Sequence, residues 1–185
     1  MVLPIYVYGN LVLKKIAEDI PKNYPELDIL INNMFDTMQH SEGVGLAAPQ
    51  VGKSIRLFVI DAAPMSEDEP ILKDFKKVFI NAKILEEKGE EWYYNEGCLS
   101  VPNIREDIKR KPQVHIQYYD ENFNFYDEWF DGIKARIIQH EYDHLEGILL
   151  VDRLSQLRKR ILKRKLNDIS NGNVDVKYKI IYPNK

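Results

Sequence analysis

Apolar residues along this chain recur at two different periods, and the change of period marks out the elements. Residues 25–40, "PELDILINNMFDTMQH", put Leu27, Leu30, Ile31, Met34, Phe35 and Met38 on one side of a helix. The turn-rich "SEGVGLAAPQVGKS" follows, and then "IRLFVI" (55–60) reads as a strand. "DAAPMSEDEP" predicts an exposed acidic loop across 61–76. "KVFINAKIL" (77–85) and "EEWYY" (90–94) predict further strands, and "VHIQYYD" and "FNFYDEWF" predict a hairpin around Glu121-Asn122.

The period then returns to that of a helix. Asp131 is placed to cap a helix starting near Ile133 and closed by Gly147. "ILLV" (148–151) predicts a short strand, a second helix runs over 153–169, and the tail (170–185) offers "VDVKYKIIY" as a last strand. Strands cluster and helices bracket them without βαβ alternation. The expected fold is therefore α+β, with antiparallel or mixed sheets around the 133–146 helix and a C-terminal helix. At 185 residues one domain, 1–185, is the simplest organisation.

Composition narrows the setting. Apolar residues at 44 % and charged residues at 30 % suit a globular chain with a real core. One cysteine cannot form an internal disulfide, which fits a reducing compartment. The start, "MVLPIYVYGNLVLKK", is a poor secretory signal because its apolar run is broken by Pro4 and Gly9 and lacks a basic head. No apolar run approaches the ~18 residues of a membrane span. The expectation is a cytoplasmic protein with no membrane partner, monomeric by default. Net charge is −3, but seven basic residues and no acid lie between Arg153 and Lys165, leaving 19 basic against 29 acidic elsewhere. That split points to a polyanionic partner for one end, or simply to a solvated helix face.

The chemistry-bearing pattern is His140-Glu141-Tyr142-Asp143-His144, an H-E-x-x-H sequence inside the 133–146 helix. Residues four apart share a helix face, so two imidazoles can reach one ion. The adjacent Glu can then act as general base. Ile133, Ile137, His140 and His144 continue one inward stripe. A catalytic centre usually takes three protein ligands. No His follows His144, Glu146 is too close in sequence to fold back easily, and His40 and His115 sit in no motif. Cys98, in "EGCLS" (96–100), is the candidate, since a thiolate is a strong ligand and coordination lowers its pKa.

"GVGLAAPQVG" (43–52), "EGCLS" (96–100) and "QHEYDH" (139–144), in this order, resemble the three motifs of the peptide deformylase family. The resemblance covers nearly the whole chain. It implies removal of the formyl group from N-formylmethionine at the start of new bacterial polypeptides, with release of formate. It implies one divalent ion on Cys98, His140 and His144, with Fe²⁺ as the native metal and Zn²⁺, Ni²⁺ or Co²⁺ able to occupy the site. Glu141 is then the acid/base, and the side chain of Gln50 and the backbone N–H of Leu99 hold the formyl oxygen. Gly43 and Gly45 let an extended peptide approach the first motif as an added strand. Val44, Ile133 and Ile137 are candidates for a methionine slot, with His140 as one wall. Glu96 and Arg105 are expected to pair and prop the Cys98 loop, and Asp143 to orient a neighbouring group.

The basic 153–169 helix resembles the helix-ended branch of the family, which implies docking on ribosomal RNA or protein near the exit. Its Leu154, Leu157, Ile161, Leu162, Leu166 and Ile169 form an apolar stripe. Two other readings stay open on sequence. An H-E-x-x-H metallopeptidase would want a further downstream ligand. A non-catalytic homologue that only binds ribosomes or nascent chains would show damage at Glu141 or Gln50.

Overall fold

The computed structural model describes residues 1–183 of the chain. Five strands form an antiparallel sheet in the order β2 (Gly45–Ala47), β3 (Leu57–Asp61), β4 (Lys76–Lys88), β7 (Gln113–Tyr119) and β8 (Phe125–Asp131). A separate hairpin pairs β5 (Trp92–Cys98) with β6 (Val101–Arg110), and β1 (Ile5–Tyr6) lies parallel to β9 (Ile180–Ile181). Three helices complete the fold: α1 (Leu27–His40), α2 (Gly132–Leu145) and α3 (Gln156–Ser170).

The unbroken apolar run of β3 is explained by helices on both faces of the sheet. Leu57 and Val59 pack with Ile31, Met34 and Met38 of α1. Phe58 and Ile60 point the opposite way and pack with Ala135, Ile137 and Ile138 of α2. The H-E-x-x-H helix is thus fixed on one face of the sheet. Its far end stops at Leu145, where Gly147 takes φ +70° and a Cβ would lie 2.6 Å from the Lys14 carbonyl oxygen. Asp131 occupies the N-cap position of α2 without a side-chain cap hydrogen bond.

Several sequence expectations are corrected. Residues 148–151 are no strand: Leu150–Arg153 is a 3₁₀ turn that buries Leu150 and Val151 against Val101, Ile104 and Ile108 of β6 without joining a sheet. The 61–76 loop is pinned by two short 3₁₀ turns and by buried Leu72 and Phe75. β6 was not anticipated at all. The final strand shrinks to two residues. In α3 only Leu162, Leu166 and Ile169 are buried, while Leu157 and Ile161 are 69 % and 59 % exposed. The first turns of α3 are held instead by an ion pair from Arg158 to Glu106 at 2.7 and 2.8 Å.

Candidate metal centre and cleft

α2 carries His140, Glu141 and His144 to the floor of a cleft, and β5 delivers Cys98 at its last residue. Cys98 Sγ lies 3.4 Å from His144 Nε2, and the donor atoms of Cys98, His140 and His144 all lie within 4.8 Å of one another. Three such donors suit one tetrahedral ion with a fourth position left open. His140 Nδ1 faces Glu96 Oε2 at 2.9 Å, which fixes the ring and leaves Nε2 for an ion. His144 Nδ1 and Glu141 Oε2 are buried and, among the described residues, have no hydrogen-bond partner. A buried carboxylate oxygen without a partner beside a Cys-His-His trio is what a site for a metal and its water presents.

Charge in this cluster is organised by Glu96. Burial opposes its ionisation, but hydrogen bonds from His140 and Arg110 prevail and hold its carboxyl far below the usual range. Arg110 grips both oxygens of Glu96 at 2.8 and 3.0 Å, and Arg136 adds a contact at 3.0 Å. Arg110 also reaches Asp143 at 2.8 Å, and Asp143 in turn takes Arg153 at 2.5 and 2.6 Å. Asp143 therefore ties α2 to the turn before α3. Burial also disfavours charge on His140, yet the neighbouring Cys98 and Glu96 push its pKa well above the ordinary value. Burial and the charge on His140 push His144 well below it. Burial raises Glu141 to about 7.

The first motif supplies the opposite wall. Gln50 is 2 % exposed; its Oε1 accepts from the Ala47 N–H at 2.8 Å, which turns its amide nitrogen toward Ser100 Oγ (3.2 Å) and Cys98 Sγ (3.7 Å). A Cβ on Gly45 would overlap the Glu141 carboxylate, and one on Gly43 would meet Leu99 Cδ1 at 2.9 Å. Gly45 thus gives Glu141 its room, a reason the sequence did not suggest. The cleft measures ≈ 730 Å³. Gly43, Val44, Gly45 and Gln50 line it from one side, Leu99 and Cys98 from another, and Ile133, Ile137, His140 and Glu141 along α2. His144 lies beneath them, 1 % exposed.

The expected Glu96–Arg105 pair does not form. In the β5–β6 register Arg105 faces Gly97, and its side chain bonds Asn95 at 2.8 Å, while Glu96 turns to the buried face. Adjacent strand residues point to opposite faces, so these two cannot meet. Sequence reasoning missed Arg110 and Arg136, which are buried at 3 % and 2 % exposure. It also missed the tail residues Asp175–Tyr178, which reach the cleft.

This frame and donor set define a candidate H-E-x-x-H metal site on an α+β scaffold. The model of the Polypeptide deformylase family matches residues 2–160, and the chain belongs to that family. It is 55 % identical to a peptide deformylase of Christiangramia forsetii, over all of this chain and 97 % of the relative. Identity to that of Flavobacterium johnsoniae is 52 %, over 97 % and 95 %. The crystal structure of a peptide deformylase from Legionella pneumophila superposes with a TM-score of 0.81 at 36 % identity, covering 94 % of this chain and 98 % of the other.

Proposed function

We infer that this chain is a metal-dependent enzyme that removes the N-formyl group from the N-terminal formylmethionine of newly made polypeptides and releases formate. The observation that carries the reading is the buried, unpartnered Glu141 Oε2 beside the Cys98–His140–His144 trio. Family membership supports it, and the peptidase and non-catalytic readings gain no support. Those three residues would hold one divalent ion, with Fe²⁺ as the proposed native metal. Bound there, such an ion polarises a carbonyl oxygen and lowers the pKa of water.

The protein's own groups do the rest. Glu141, with a pKa near 7, takes a proton from water and passes it to the departing amine nitrogen close to neutral pH. The Gln50 amide and the Leu99 N–H hold the formyl oxygen as negative charge develops on it. A donor in that role is typically worth about 3–4 kcal/mol. β2 pairs with β3 on one side only, which leaves a free edge beginning at Gly45 for an extended peptide. Val44, Ile133 and Ile137 take the methionine side chain.

The basic face of α3 docks the enzyme on ribosomal RNA or protein, as a monomer in the cytoplasm. Among the described residues no helix is long and apolar enough to cross a membrane. Anaerobic purification with metal analysis, followed by formate release from a formyl-Met peptide, tests the whole reading. One metal per chain and rapid formate release are expected, and a metal-loaded chain that releases none defeats it.

A further inference from the structure

The tail beyond α3 lies outside the residues 2–160 matched by the family model, yet it runs beside the catalytic motif. It is anchored at several points. The Asn103 side chain donates to the Asp175 carbonyl at 3.1 Å. Ile180 and Ile181 pair with Ile5 and Tyr6, and Asn10 donates to the Ile181 carbonyl at 2.7 Å. Val174 and Ile180 pack on the apolar cluster around Val101 and Leu166. Between these anchors, residues 175–178 form part of the cleft wall. Tyr178 turns its hydroxyl onto the Leu99 carbonyl at 2.8 Å. One residue on, the Ser100 carbonyl is held by the Tyr8 N–H at 2.8 Å. The turn Leu99-Ser100 that follows Cys98 is thus held from outside by Tyr8 and Tyr178.

We propose that the tail is a working wall of the catalytic groove and that Tyr178 is a positioning residue, whose hydroxyl fixes the Leu99 backbone so that its N–H points at the formyl oxygen. The inference rests on the proposed role of Leu99. The Leu99 carbonyl and N–H flank one Cα, so holding the carbonyl restricts the rotation that would swing the N–H away. Donors that are already aimed avoid reorganisation when charge develops, so the gain falls on the transition state. The hydroxyl is the donor in this bond because the Leu99 carbonyl can only accept.

The test is Tyr178→Phe in the full chain, which removes one oxygen and keeps the ring. A single hydrogen bond of ordinary strength predicts a kcat about five- to tenfold lower, with KM within twofold and metal content unchanged. In the metal-free protein, amide exchange at Leu99 should quicken by a similar factor. Tyr182→Phe, a change in the same tail away from the cleft, should alter neither. Failure of either readout to move overturns the proposal, as does a loss carried wholly by KM or by missing metal. Replacing Leu99 by its α-hydroxy acid exchanges its N–H for an ester oxygen and tests the underlying role separately. If that ester leaves kcat intact, the role of Leu99 is wrong. If it lowers kcat while Tyr178→Phe does not, only the tail proposal falls.

Discussion

Strand β6 and helix α3 are both dense in charge, and they use it in opposite ways. β6 turns Glu106 and Arg110 inward, and Arg110 closes around Glu96 and Asp143 with 3 % of its surface exposed. Among the basic residues of α3, Arg158 bonds Glu106 and Lys159 reaches the Asp152 carbonyl at 3.1 Å, while Arg160, Lys163, Arg164 and Lys165 make no ion pair among the described residues. The first set sits in a medium where an unpaired charge is costly. Arg160, Lys163, Arg164 and Lys165 sit in water, where a charge costs little and contributes little to the fold. The comparison teaches that a charge shapes the enzyme only where a partner shares its burial.

The sharpest break of that comparison is at the most deeply committed acid. Glu141→Gln should keep one metal per chain and lower kcat on the order of 10³–10⁴-fold, measured by formate release. Near-normal turnover in the loaded variant would remove Glu141 from its role as the proton carrier. Next, Arg110→Met strips the main partner from Glu96 and Asp143, and should cost about 3–5 kcal/mol in denaturant unfolding. It should also loosen His140, seen as weaker metal retention under chelator. Cutting the ion pair between the two elements with Arg158→Ala should be a milder change in the same unfolding measurement, because that arginine is half-exposed. The smallest effect on stability belongs to the outward face. Lys159→Glu, Lys163→Glu and Arg164→Glu together should shift unfolding by under about 0.5 kcal/mol and leave turnover of a short peptide unchanged. Ribosome co-sedimentation should nonetheless fall and its salt dependence flatten. Equal losses from the Arg110 and the triple variant would erase the distinction.

The same contrast explains what the sequence made legible. The β7–β8 hairpin was readable because Val114, Ile116 and Tyr118 alternate with polar neighbours, and that period matches the burial found. β6 alternates just as regularly, but two of its buried positions are Glu106 and Arg110, so the apolar period breaks where the site begins. The H-E-x-x-H helix and Cys98 were readable because metal chemistry demands particular residue types at fixed spacing. Arg110, Arg136 and Tyr178 follow no such spacing; each acts through a partner more than ten residues away. On α3 the apolar stripe was legible but the extent of its burial was not, because periodicity shows which side of a helix is apolar, not how far along it a neighbour extends.

The parallel pairing of β1 with β9 has a consequence in time. Ile5 waits for Ile180, 175 positions later, and translation delivers everything between them first. Closing so long a loop is entropically slow compared with forming the hairpins and helices already made. As the chain folds, α2, the Cys98 hairpin and the first motif can therefore assemble with one side of the groove still open. The wall bearing Tyr178 is then expected to be the last to close, so refolding would pass through a stage that has the catalytic groups but not yet their finished enclosure.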